Sequence, residues 1–283
     1  MSSLNNSLAL VIAGVGVTII CPETSWLERL KDRYHPFLGK ESSFLTLQVQ
    51  RCSHPAPDFV HSDEISFQGQ ATTLHSQTYH GFINTQAGTA QICTRVDHPI
   101  EDIDYFLRVT YALLSFRAGG FLLHGAGIIH QGKGYLFFGH SGAGKTTVAR
   151  LSIGDQILND DLVILLPSSF MPEVGTEKQV ENGFPGWAIH ATPFWNPTQV
   201  KPSPVSVNLA GMFHLIQDKR VYLEPLRTGQ ALAELVASIP LIPMDVKHGD
   251  TILDRIESLQ KQVPIYNLHF LPDASFWRVI ERS

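Results

Sequence analysis

Tyr135-Leu136-Phe137-Phe138-Gly139-His140-Ser141-Gly142-Ala143-Gly144-Lys145-Thr146-Thr147-Val148-Ala149-Arg150-Leu151 is the stretch on which the reading of this chain turns. Residues 139–146 fit the pattern G-x-x-x-x-G-K-[ST] without exception. The apolar residues Tyr135 to Phe138 before it are strand-like, and Thr147 to Leu151 after it suit the first turns of a helix, the order that a phosphate-binding loop needs. Glycines at 139, 142 and 144 carry no Cβ, so the chain can turn sharply there and aim backbone N–H groups inward at phosphate oxygens. The start of the following helix adds its dipole. Lys145 would reach the outer phosphates as a compact cation, and the Thr146 hydroxyl would join the coordination of Mg²⁺. Ser141, Ala143 and Thr147 complete the expected nucleotide-contacting stretch, and His140 sits within the loop in reach of a phosphate. A Gly-rich turn with an exposed lysine, the plainer alternative, requires neither Thr146 nor a helix after it.

Fifteen positions beyond Lys145 (145 to 160), the apolar run Ile157-Leu158-Asn159-Asp160-Asp161-Leu162-Val163-Ile164-Leu165 is interrupted by two adjacent carboxylates. Two neighbouring acids are costly inside an apolar strand, and a nearby cation explains them. Successive strand side chains face opposite ways, so the two acids take different roles unless the strand ends or kinks there. The expected division gives Asp160 to the metal, with Thr146, and Asp161 to an acceptor hydroxyl as general base; the reverse division, and a plain turn between two short strands, remain open.

Around this centre, 283 residues and 31.4 kDa allow one large domain or two small ones. With 43% hydrophobic and 17% charged residues the chain is globular rather than disordered. A formal net charge of -5 and a pI near 6.2 argue against a broad surface for duplex nucleic acid. The longest apolar run, Leu8 to Ile20, is too short for a membrane span, contains Gly14 and Gly16 and follows an uncharged start, so no membrane partner and no signal peptide are expected. A soluble cytoplasmic protein is the simplest reading. Cys21, Cys52 and Cys93 form no CxxC pair and leave an odd count, so all three are expected to be reduced and structural.

The change of pattern at His98-Pro99 divides the chain into a β-rich region, 1–96, and a second region, 97–283, that holds the loop. In the first, Leu8 to Cys21 reads as one strand, Thr24 to Tyr34 as a short amphipathic helix, and Phe44 to Gln50, Ile65 to Gln70, Thr72 to Ile83 and Thr89 to Val96 as further strand-like pieces. Its histidines, His54, His61, His75 and His80, lack ligand spacing and read as surface residues. In the second region Ile100 to Leu114 has helical period and ends at Gly119-Gly120. Phe121 to Ile129 and Tyr135 to Phe138 form a hairpin around Gln131-Gly132-Lys133-Gly134. The Pro- and aromatic-rich tract Phe184 to Pro204 should contain neither regular helix nor central strand, and suits either a lid or acceptor groove or a cap on the core. A hairpin of Gly211 to Ile216 with Val221 to Leu226 follows, then helices at Thr228 to Ser238, Asp250 to Gln262 and Asp273 to Arg282 and a strand at Ile265 to Phe270.

His124-Gly125-Ala126, the loop Gly139 to Thr147 and Asn159-Asp160-Asp161 together resemble the catalytic core of bacterial HPr kinase/phosphorylase, over about Phe121 to Leu166. A weaker likeness is to ATP-dependent phosphoenolpyruvate carboxykinase. The resemblance implies an α/β fold, a P-loop kinase core of the HPr kinase/PEP carboxykinase type with a β-rich N-terminal region. It also implies ATP and Mg²⁺ as cofactors, and a place for His124 beside the transferred phosphate and the acidic pair. An Arg-Gly segment and a downstream loop of that family, used in phosphorolysis, have no counterpart between Met171 and Ser206. In its place stands His190-Ala191-Thr192-Pro193-Phe194-Trp195-Asn196-Pro197, and the arrangement is similar to HPr-kinase-like proteins found beside peptide-modification machinery.

The expectation is therefore a kinase in which His124, Lys145, Asp160 and Asp161 do the chemistry and the γ-phosphate passes to a hydroxyl of a peptide or protein, with serine as the acceptor side chain. Two alternatives remain: a small-molecule phosphotransferase of the carboxykinase type, for which Arg108, Arg117, Arg150, Arg220 and Arg227 form no evident cluster, and a non-catalytic nucleotide-binding module. No coiled-coil or other dimer device is evident, so an oligomer is not argued from the sequence.

Overall fold

At Gln131-Gly132 two consecutive residues adopt positive φ, 50° and 77°, as a tight two-residue hairpin turn requires. The turn folds β8 (Phe121–His130) onto β9 (Lys133–Phe138), the hairpin expected from the sequence. The computed structural model describes residues 6–39, 43–52, 64–68, 71–170, 186–194, 202, 204–241 and 246–283. They fall into two compact units, one within residues 6–117 and one within 118–283.

The first unit is a seven-stranded mixed sheet in the order β1-β2-β3-β7-β6-β5-β4. Its strands are β1 (Ser7–Ile12), β2 (Val15–Ile20), β3 (Leu45–Arg51), β4 (Glu64–Gln68), β5 (Ala71–His75), β6 (Tyr79–Asn84) and β7 (Thr89–Thr94), with helices α1 (Thr24–Tyr34) and α2 (Ile100–Arg117). The single strand expected over Leu8 to Cys21 is a hairpin instead, because Ala13 (φ 54°) and Gly14 (φ 75°) turn the chain back between β1 and β2. Gly14 marks the turn, but Ala13 before it has no turn propensity and the residues on either side are apolar, with no polar residue to punctuate the reversal. Helix α1 turns Trp26, Leu27, Leu30 and Tyr34 inward, and buried Tyr111 of α2 donates its hydroxyl to Leu10 O and Val15 O. At the heart of these helices Asp104 accepts from Arg33, Arg108 and the Tyr34 hydroxyl at 2.7–2.9 Å. Cys52 and Cys93 are bonded to each other, against the expectation of three reduced thiols. Strands β3 and β7 are parallel neighbours, so residues 41 positions apart lie side by side; Cys21 is free and buried.

The second unit contains β10 (Gln156–Asn159), β11 (Leu162–Pro167), β12 (Trp187–His190), β13 (Ser206–Gln217), β14 (Tyr222–Pro225) and β15 (Ile265–Phe270), with α3 (Lys145–Leu151), α4 (Thr228–Ala237), α5 (Val246–Gln262) and α6 (Phe276–Ile280). Strands β8, β9, β13, β12 and β11 pair in a closed ring: β8 with β9, β9 with β13, β13 with β12, β12 with β11, and β11 again with β8. Strands β15 and β14 extend a sheet outward from β13.

This architecture corrects the expected α/β class with a P-loop kinase core. Among the described residues the fold is β-rich, 41% strand against 29% helix, with a closed five-stranded barrel and a large mixed sheet. An α/β sheet needs a helical crossover between successive parallel strands. Among the described residues of this unit most neighbours are antiparallel, only β9–β13 and β13–β15 run parallel, and β8, β9, β10 and β11 follow one another with a single seven-residue helix among them. The strand–loop–helix order around the loop is present, but one such unit does not set the class of a fold.

Two further expectations fail for reasons of long-range pairing. The apolar stretches at 211–216 and 221–226 do not form a hairpin, because β15 inserts between them, parallel to β13 and antiparallel to β14. Within the proline-rich tract, Trp187 to His190 is a central barrel strand; the prolines within the described part of the tract flank it and leave its own amides free to pair. The barrel interior is close-packed. A Cβ on Gly127 would lie 2.9 Å from both Ile189 and Val163, and one on Gly134 would lie 2.6 Å from Ile189. On the outside, Phe137, Phe213, Phe270, Phe276 and Trp277 bind α3 and α6 to the wall in one apolar cluster.

Candidate functional site

The loop leaves β9 at Phe138 and enters α3 at Lys145. Its three glycines have φ of 146°, 82° and 112°, values that residues with side chains avoid. Their surroundings differ: space is open around Gly142, whereas a Cβ on Gly144 would fall 2.6 Å from the Phe270 ring. Ala143 is buried and its N–H bonds His140 O at 3.1 Å, so the loop folds over its own middle. Gln217, at the end of β13, donates to Gly142 O at 2.8 Å and ties the loop to the barrel. Ser141 and Thr147 are exposed and Thr146 is half-buried.

Lys145 is buried, and its ammonium donates to Gly139 O at 2.8 Å and His140 O at 3.0 Å. Burial lowers its pKa, and the charge of Asp161 acts in the opposite sense. Lys145 and Asp161 are therefore electrostatic neighbours. A desolvated ammonium beside a loop of inward-turning glycines suits an anion.

Strands β10 and β11 lie in succession along the same edge of β8, and the acidic pair occupies the break between them. The interrupted strand of the sequence reading is thus two short strands with a kink, which frees the two carboxylates from strict alternation. Asn159 builds the kink. Fully buried, it accepts from the N–H of Asp161 at 2.7 Å and of Leu162 at 3.1 Å, while its amide donates to Thr192 O, Thr192 Oγ1 and Phe194 O. Asp161 O accepts from Gly125 N at 2.9 Å, which seats the kink against β8. Asp160 is 1% exposed, whereas the Asp161 side chain keeps 16% of its surface open.

His124 stands opposite Leu162 in the β8–β11 register, one residue from Asp161. Its Nε2 lies 3.2 Å from Asp161 Oδ1, and its side chain is 46% exposed, so it is no core histidine. Its backbone N–H bonds Ser238 O, just past α4, at 2.7 Å. The structure thus brings His124 and Asp161 together, within electrostatic reach of Lys145, with Asp160 buried next to Asp161. Thr146 and Asp160, the residues expected to hold a metal, both offer oxygen, the donor that Mg²⁺ prefers. Beneath Gly139, His214 of β13 bonds Asn267 at 2.9 Å and approaches Glu234 of α4 at 3.5 Å.

Sequence reasoning gave Asn159 no task, although an Asn ahead of two acids after an apolar run is a signal for a side-chain-capped turn. His214 and Glu234 carried no signal at all. Of the aromatics proposed to line a lid or groove, Trp187 and Phe194 are buried, and Trp187 stacks on Phe121 with ring centroids 6.3 Å apart, so these two serve the core. Phe184 and Trp195 lie outside the described residues, as do His54 and His61.

Among the described residues no helix is long and apolar enough to cross a membrane. No curated protein matches the chain. A family model described as SynChlorMet cassette protein ScmC matches residues 100–283, well over half of the chain and the whole of the site just described, and the chain belongs to that family.

Proposed function

We propose that this chain is an ATP- and Mg²⁺-dependent kinase that passes the γ-phosphate to a hydroxyl, that of a serine, on a peptide or protein. The observation that carries the reading is the His124–Asp161 contact at 3.2 Å, within electrostatic reach of the buried Lys145 of a loop of G-x-x-x-x-G-K-T sequence. The loop amides and Lys145 hold the phosphates; to do so Lys145 exchanges its two loop carbonyls for phosphate oxygens and offsets the charge that grows during transfer. Asp161, the more open of the two acids, accepts the proton of the acceptor hydroxyl. His124, against Asp161 Oδ1, fixes the carboxylate so that its other oxygen faces the acceptor. Thr146 and Asp160 would hold Mg²⁺, which when bound screens the phosphate oxygens. A cytoplasmic setting, where ATP is supplied, belongs to the same proposal.

The family name places such chains among the proteins of a SynChlorMet cassette, so the acceptor is sought first among the products of that cassette. The test is transfer of label from γ-³²P-ATP with Mg²⁺ to cassette peptides, a serine-bearing peptide pool, HPr and free serine, with wild type beside Lys145→Ala and Asp161→Asn. Label on a peptide or protein with wild type alone supports the kinase. Label on free serine alone would favour small-molecule transfer, and failure to bind ATP would overturn the reading.

A further inference from the structure

Far along the sequence from the loop, the first unit gathers a second set of reactive side chains. Cys93 of β7 is the register partner of His80 in β6, and Cys52, just beyond β3, bonds Thr94 O through its N–H at 2.8 Å. Three strand ends therefore deliver two sulfurs and an imidazole whose ligand atoms all lie within 4.8 Å of one another. All three residues are half-buried and so reachable from solvent.

The imidazole is already oriented for coordination. The Arg95 guanidinium, which can only donate, lies 2.8 Å from His80 Nδ1, so Nδ1 is the acceptor and its lone pair is unprotonated. That same Nδ1 is 3.7 Å from Cys52 Sγ. Sulfur at about 2.3 Å and nitrogen at about 2.0–2.1 Å from a tetrahedral ion stand roughly 3.5 Å apart, close to the spacing observed. Arg95 also donates from its other terminal nitrogen to Ser76 O at 3.4 Å, a bond that remains when Nδ1 is taken.

We propose that Cys52, His80 and Cys93, with both thiols reduced, form a three-ligand site for a thiolate-seeking divalent cation of the Zn²⁺ class, with a water in the fourth position. The disulfide and the metal exclude each other. A dithiol reductant supplies two electrons and two protons to the S–S bond and is itself oxidised to a disulfide; the metal then displaces both protons from the thiols and binds the two thiolates. Cytoplasmic thiols are kept reduced, so in the setting proposed above the metal-binding form is the resident one. The third cysteine does not compete, because burial pushes the Cys21 thiol up to about 12.

The test titrates Co²⁺, then Zn²⁺, into the full chain reduced with a phosphine and then freed of it, beside a non-reduced sample and the variants Cys93→Ser and His80→Ala. The expected result is one Co²⁺ per reduced chain, with thiolate-to-cobalt charge-transfer absorption that Zn²⁺ abolishes and that the non-reduced sample lacks. Cys93→Ser should lose the thiolate pair's absorption, and His80→Ala, checked for folding by circular dichroism, should bind about 10–100-fold more weakly or worse, since even outer partners of metal ligands cost that much. Absence of the absorption in the reduced wild type, or its persistence at unchanged affinity in His80→Ala, would overturn the site.

Discussion

Gly142→Ala and Gly144→Ala each add one methyl group to the same loop, and the structure assigns them different costs. At Gly142 the new Cβ meets nothing within 4 Å, so the penalty is that of holding an L-residue at φ 82°, about 1–2 kcal/mol. At Gly144, φ is 112° and the Cβ would stand 2.6 Å from Cζ of Phe270, a 3%-exposed ring held by Phe276. The backbone strain there costs about 1–3 kcal/mol and forcing a methyl against a packed ring about 1–3 more, roughly 2–6 in all. Urea unfolding of the two variants, read with the tryptophans of the second unit, should show the midpoint falling further for Gly144→Ala with the slope unchanged. Titration with a fluorescent ATP analogue should show Gly142→Ala weakened in binding although it loses less stability than Gly144→Ala. Equal midpoints for the two variants would refute the placement of Phe270 under the loop, and undiminished ATP affinity in Gly142→Ala would refute the need for a left-handed residue there.

Asp161→Asn should retain ATP and lose about 10²–10⁴ in transfer rate, with His124→Ala losing less, because the first removes the base and the second only its orientation; single-turnover kinetics separates these. Asn159→Ala leaves the N–H groups of Asp161 and Leu162 unbonded in a buried kink, at about 1–3 kcal/mol for each. It should therefore lower both the unfolding midpoint and the transfer rate, whereas a rate loss without destabilisation would contradict the role given to it. His130 of β8 bonds Asp155 at 2.8 Å and Glu281 at 2.9 Å; burial pulls its pKa down, and the two carboxylates more than reverse this, for a net rise. A raised histidine stabilises fully below its unfolded pKa of about 6.5 and loses that contribution as pH climbs through the folded value. The melting-temperature gap between wild type and His130→Gln should accordingly be wide at pH 5.5 and close above neutrality; a gap constant with pH would refute it.

Local signals in the sequence carried well where contacts are local. Helix α1 spans Thr24–Tyr34 and β15 spans Ile265–Phe270, the bounds read from period and punctuation, and the β8–β9 turn was announced by Gly132. Gly14 holds the same place in the β1–β2 turn (φ 75°), but Ala13 before it and apolar residues on both sides gave that turn no polar punctuation. Pairing between distant segments left no trace either: β15 lies between β13 and β14, and Cys52 lies beside Cys93, only because the sheets bring them there. The class of the fold was misread for a related reason. Eight loop residues dictate a strand before and a helix after, but not the direction of the strands beside them. At the site, Lys145 and the acids were legible as charges in apolar surroundings, whereas Asn159 became visible only as the donor and acceptor that hold Asp161 in place.

The ring of strands has a mechanical consequence for whatever the site does. His124 projects from one stave and Asp161 from the break in its neighbour, while the loop springs from the end of a third. In an open sheet one strand can slide past the next at the expense of a single seam. In a closed ring, a slip at the β8–β11 seam must be taken up at all four others, around an interior already filled to Gly127 and Gly134. The acid and its histidine therefore behave as fixed fittings on a hoop, while the loop between Phe138 and Lys145 springs from the end of a stave and is bound by none of the five seams.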